Sequence, residues 1–165
     1  MPESPSPAPS PVIVGVTATQ SPAVVSTAAT LAARLGAPLV CVWVDSTRHT
    51  LGVETDGTIV SVPIDPDLDD GSPPTIPDEV TAAVARALAD RPAIEPRWLA
   101  RAGGVAQQLG ALARELDACL IVVGRHEPGL WGSVRDFFQG SAGAQLAHAQ
   151  DRPVLVVPPR DRGQR

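Results

Sequence analysis

A chain of 165 residues holds one domain with a sizeable core and is too short for two ordinary ones. Apolar residues make up 44% and charged residues 19%, so most of the chain is expected to be globular; the formal net charge of -5, with the basic residues scattered and forming no dense run, argues against a nucleic-acid partner held by a basic patch. No apolar run approaches the roughly 20 residues of a membrane span, and no basic segment precedes an apolar one at the N-terminus, so the default expectation is a cytoplasmic protein with no membrane partner.

Met1 to Pro11 carries five prolines among serines and alanines and reads as a flexible lead-in. Val12-Ile13-Val14-Gly15-Val16 is a compact β-branched run and predicts the first strand. The polar turn Thr17-Ala18-Thr19-Gln20 leads to Ser21 and Pro22, an N-cap followed by a first helical residue. Val24, Ala28, Leu31 and Leu35 recur on one helix face, and Gly36 ends that helix. Leu39 to Val44 is continuously apolar, as strands are in a parallel sheet covered on both faces. The first unit is thus β-α-β.

From Asp45 to Pro77 the pattern weakens into an irregular excursion, with Thr58 to Val62 as one short extended segment after the Asp56-Gly57 turn. Asp78 to Ala89 predicts a second helix, apolar at Val80, Ala83, Val84, Ala87 and Leu88, with Asp78 and Glu79 at its positive end. Arg97 to Arg101 is a shorter strand. Gly103-Gly104 opens a third helix, in which Val105, Leu109, Leu112 and Leu116 repeat the spacing of the first. Ala118 to Val123 is the fourth strand. The glycine-rich loop after Gly124 runs to Gly140-Ser141, which open a fourth helix ending near His148. Val154 to Val157 is the fifth strand, between Pro153 and Pro158-Pro159.

Five strands alternating with four helices predict an α/β fold: an open doubly wound five-stranded parallel sheet with helices on both faces. Ligands of such sheets sit beyond the carboxyl ends of the strands, where the winding reverses. The turns after Val16 and Val123 meet there. A strand, a glycine-rich loop and a helix N-terminus at Ser141 favour phosphate, through backbone N–H groups and the helix dipole.

Here the chain resembles a universal stress protein domain, over nearly everything from Val12 to Pro158. The resemblance rests on the opening strand, on Leu-Gly-Ala-Pro-Leu-Val at 35–40, and on Leu120-Ile121-Val122-Val123-Gly124. The ending Gly140-Ser141, Ala147-His148 and Arg152-Pro153-Val154-Leu155-Val156-Val157-Pro158 is its most specific part. It implies a Rossmann-like, adenine nucleotide α-hydrolase-like fold in one domain, 12–158, between the 1–11 tail and a polar tail at 159–165. It also implies that the terminal strand lies at the sheet edge.

Members of that family that bind ATP carry G-x2-G-x9-G-[ST] in this loop and an aspartate directly after strand one. Gly124 matches the first glycine and Gly140-Ser141 the last pair. Glu127 stands at the second glycine, Gly129 lies two residues late, and the interval from Gly124 to Gly140 is three residues longer than the pattern. Thr17 stands where the aspartate would be. Val44 matches the valine whose backbone meets adenine.

Each departure has a physical meaning. Glu127 adds bulk and negative charge beside polyanionic phosphates. Thr17 keeps a hydroxyl but loses a charged acceptor. The extra residues, looped out, would bring Gly129 or Gly132 to the missing position.

Other features read as structure rather than chemistry. Thr17-x-Thr19-x-Ser21 is weakly similar to a flavodoxin phosphate loop but reads as a polar turn before a cap. Asp65-x-Asp67-x-Asp69 lacks the glycine and glutamate of a calcium loop and reads as a solvated acidic segment. Cys41 and Cys119, inside apolar runs, read as buried thiols. His49, His126 and His148 share no metal-ligand spacing, so no metal site is expected. Arg125-His126 reads as part of an exposed loop or, as the sharper reading, touches an anion there. Trp131, Phe137 and Phe138 pack the long loop onto the sheet or, as the sharper reading, cover a ligand or a subunit contact.

Three functions compete. The first is an adenine-nucleotide module, for ATP or AMP, with Gly124, Gly129, Gly140 and Ser141 around the phosphates and Val44 at the base. The second is a regulatory homodimer of the stress-response type, paired through Val154–Val157, in which the site is degenerate and ATP binding weak or lost. An enzyme is the least supported, since no acid/base pair or nucleophile is assembled and no catalytic residue is assigned.

Overall fold

β1 (Val12–Gly15), α1 (Pro22–Leu35) and β2 (Leu39–Asp45) form in the order the apolar runs predict. Ser21 Oγ accepts from the Ala23 N–H at 3.3 Å, Pro22 opens the helix, and Gly36 closes it at φ 61°. The Ala37 N–H donates to the Ala32 carbonyl and the Gly36 N–H to that of Ala33, the paired bonds of a left-handed helix end. The computed structural model describes residues 9–53, 59–63, 74–124 and 151–158.

The buried face of α1 is Ala23, Val24, Val25, Ala28, Ala29 and Ala32, whereas Leu35 is 58% exposed. The expected stripe through Leu31 and Leu35 is therefore off-centre. Small alanines, which let the helix lie close to the sheet, take the inner positions instead.

The expected excursion after β2 holds a regular element. β3 (Arg48–Val53) and β4 (Ile59–Pro63) pair antiparallel, with a register shift between Thr50 and Gly52, and this hairpin lies beside β5. α2 (Asp78–Ala87), β5 (Arg97–Ala102) and α3 (Val105–Glu115) follow. β6 spans Leu120–Gly124, two residues later than expected at its start. The reason is local: the Ala118 N–H is spent on the Ala113 carbonyl at the end of α3, where Asp117 sits at φ 50°. The Cys119 N–H donates to the Pro11 carbonyl, so the last residue of the expected lead-in is tied to the sheet. β7 (Val154–Val157) completes it.

The five-stranded sheet has the order β5-β2-β1-β6-β7, and every neighbouring pair in it is parallel. Successive residues feed opposite faces. Val12, Val14, Cys41 and Val122 pack with α1 and α2, while Ile13, Val40, Val42, Ile121 and Val123 pack with α3. The sheet is thus open, doubly wound and covered on both sides among the described residues, as the continuous apolar strands predict. β7 lies at one edge, where Val156 is 37% exposed.

Candidate functional site at the carboxyl edge

β1 is the hinge of the winding: the chain moves from it to β2 and β5 on one side and to β6 and β7 on the other. Its carboxyl end therefore borders both β2 and β6, which is where a doubly wound sheet opens a crevice. Two glycines line this point. A Cβ on Gly15 would meet Leu109 Cδ1 of α3 at 3.2 Å, and one on Gly124 would meet Val24 Cγ2 of α1 at 3.1 Å. Helices on opposite faces thus press against the ends of β1 and its neighbour β6. Gly124 has a packing reason of its own, independent of any phosphate.

On the β2 side, the last rung joining the two strands is the Val16 N–H to the Val42 carbonyl, 2.9 Å. β1 then leaves the sheet. Val44 is the next position of β2 that faces β1, and among the described residues no further backbone bond joins it to the departing chain. Its side chain is buried in the α3-side cluster, so its peptide group forms the rim of the crevice. Thr17, half-buried, follows Val16 on the departing turn, with its hydroxyl unengaged by any described group. In the same turn Gln20 Nε2 is enclosed without a hydrogen-bond partner.

One carboxylate that the motif reading passed over stands here. Asp45 closes β2. Its carbonyl accepts the Gly103 N–H at 2.9 Å, and its Oδ1 accepts from the Thr47 N–H at 2.9 Å and from Thr47 Oγ1 at 2.6 Å. The signal was in the sequence: an acid directly after an apolar run, at the end of the second strand of a doubly wound sheet.

Of the seven sequence-derived site residues, Thr17, Val44 and Gly124 come together on this edge. Glu127, Gly129, Gly140 and Ser141 lie outside the described residues, as do Arg125, His126, Trp131, Phe137, Phe138 and His148. Among the described residues no cluster of His, Cys, Asp and Glu has the composition of a metal site, and no helix is long and apolar enough to cross a membrane. Both cysteines are free; Cys41 is fully buried, and Cys119 Sγ donates to the Pro11 carbonyl at 3.4 Å.

Residues 10–158 match the model of the universal stress protein family. The chain belongs to the universal stress protein family. Solved universal stress proteins share its fold. One in complex with cAMP is 24% identical, with a TM-score of 0.56 over 92% of this chain and 98% of that one. A family member from Burkholderia pseudomallei is also 24% identical, with a TM-score of 0.53 over 93% and 99%. The universal stress protein from Archaeoglobus fulgidus in complex with dAMP is 17% identical, with a TM-score of 0.50 over 89% and 96%. No curated protein sequence matches the chain. Two of the stretches that carry the resemblance, Val12–Val16 and Leu120–Gly124, contain the central strand β1 and its neighbour β6.

Proposed function

We propose that this universal stress protein is a non-enzymatic, homodimeric regulatory domain whose carboxyl-edge crevice takes an adenine nucleotide weakly, the site being degenerate for ATP. The observation that carries the reading is the rim itself: Thr17, Val44 and Gly124 end three neighbouring strands or turns at the switch of winding, and Val44 offers a peptide N–H and carbonyl beyond the last ladder bond. A donor and an acceptor side by side suit the edge of a purine base. The similar proteins in complex with cAMP and with dAMP support a ligand carrying one phosphate.

Weak ATP binding follows from two substitutions against the family pattern. Thr17 supplies a neutral hydroxyl where a carboxylate would accept more strongly, and Glu127 adds a like charge to the polyphosphate end. The rival reading is an ATP- or AMP-binding member in which the longer loop places Gly129, Gly140 and Ser141 around the phosphates.

Titration calorimetry of the purified chain with AMP and with ATP separates the two readings. Weak AMP binding, with an ATP Kd above about 1 μM, supports the degenerate site, and a tighter ATP Kd establishes the rival. If neither nucleotide gives heat at millimolar concentration, and mass spectrometry finds no co-purified nucleotide, the crevice is not a nucleotide site.

A further inference from the structure

We propose that Asp45 is a base-specificity residue: its free carboxylate oxygen accepts a hydrogen bond from the exocyclic 6-amino group of adenine, so that the crevice rejects 6-oxopurines. The inference rests on the nucleotide reading of the carboxyl edge and names what that site selects.

The placement comes from the sheet. With the anionic end of a nucleotide at the switch of winding, beside Gly124 at the end of β6, the ligand extends across β1 towards β2. Two strand spacings amount to about 10 Å, which takes the phosphate and sugar past β1 and brings the base to the end of β2. The groups met there are the peptide N–H and carbonyl of Val44 and, directly after it, the side chain of Asp45.

Asp45 is held ready for this. Its main-chain carbonyl is taken by the Gly103 N–H and Oδ1 by both donors of Thr47, which holds the carboxylate in the turn that follows β2. Oδ2 makes no hydrogen bond to any described residue. An amino group carries two hydrogens, and the two consecutive residues that close β2 offer an acceptor for each, the Val44 carbonyl and Asp45 Oδ2. A 6-oxo group would instead point its lone pairs at both. Lost pairing on a rim of this kind discriminates more strongly than a change in apolar fit.

The exchange Asp45→Asn tests the assignment, because the carboxamide oxygen still accepts from Thr47 while the second position changes from acceptor to donor. AMP and IMP differ at the same 6-position, and titration calorimetry of both, with 2′-deoxy-AMP as a third ligand, is run on the native chain and on the variant. The native chain is expected to bind AMP about tenfold tighter than IMP, and D45N to abolish or invert that ratio. The AMP to 2′-deoxy-AMP ratio should stay constant. An unchanged AMP to IMP ratio in D45N overturns the assignment, as does a native chain that binds both equally. A change confined to the 2′-deoxy-AMP ratio overturns it in favour of sugar recognition. A native chain that binds no nucleotide removes the site itself, which the native titrations alone reveal. Urea unfolding of D45N in parallel reads the loss due to the turn, which by itself leaves base selectivity unmoved.

Discussion

Gly124 and Val24 stand so close that a single methyl group would strain them: a Cβ built on Gly124 comes within 3.1 Å of Val24 Cγ2. Val24 is 1% exposed and held in the core by its neighbours on α1, so it has little room to retreat. Gly124→Ala is therefore expected to lower stability by about 1–2 kcal/mol, as overpacking does. Truncating the partner should return part of that loss, and the interaction energy of the G124A/V24A cycle, from urea denaturation, measures how much. Additive losses would mean that the two residues do not compete for space.

Arg91 makes a second long-range tie. Its Nη1 donates to the Ser26 carbonyl at 2.9 Å and to Thr30 Oγ1, which in turn donates to the same carbonyl at 2.7 Å. The segment after α2 is thereby pinned to the middle of α1. Arg91→Ala should cost about 1–2 kcal/mol, the range for hydrogen bonds from a charged donor, and a lowered thermal midpoint would show it. Asp90→Ala is the control. The Asp90–Arg91 ion pair spans 3.8 Å with Asp90 78% exposed, so its loss should shift stability by less than about 0.5 kcal/mol. Equal effects of the two changes would refute the pinning role.

The fold was legible because its inner strands are buried on both faces: Val12–Val16, Leu39–Val44 and Ala118–Val123 had to be apolar throughout, and Val154–Val157 repeats the pattern at the end of the chain. Ser21-Pro22 and Gly36 marked α1 by chemistry that does not depend on tertiary context. The β3–β4 hairpin was harder to see. Arg48 to Val53 interrupts its own pattern with Gly52, where the register shifts, and only Asp56-Gly57 between two extended stretches signalled a turn. Leu35 misled because helical spacing identifies a stripe but not its centre. At the candidate site, Thr17, Val44 and Gly124 are reached by matching the family's motif, and the structure places them on one edge of the sheet; Asp45 belongs to no motif and is legible only from the strand that it closes.

Cys41 predicts a loss of stability in alkali. Burial without a compensating partner pushes its thiol up from 9.0 to about 12. The folded chain therefore keeps the proton where the unfolded chain releases it. The stabilising difference is fully present below pH 9.0 and is lost as pH rises towards 12, at most about 1.4 kcal/mol per pH unit. The chain contains neither tyrosine nor lysine, so few other groups titrate in that window. Urea unfolding at pH 8 and pH 10 should show a fall that is smaller by about 1 kcal/mol in Cys41→Ala, with Cys119 common to both proteins. An identical fall in the two would place the alkaline sensitivity elsewhere.

β7 supplies the test of self-association. Among the described residues it pairs with β6 on one side only, and its Val156 is 37% exposed, an apolar edge of the kind that proteins either cover or pair. A two-fold contact through β7 would bring the same strand from both copies together. Val156→Glu then adds a charge on each side of the axis while leaving the β6 pairing in place, since the side chain projects from the face of the sheet. Light scattering should give twice 17.1 kDa for the native chain at micromolar concentration and a shift towards 17.1 kDa for V156E. A native monomer would remove the dimer altogether. A V156E dimer as stable as the native one would move the contact to another surface.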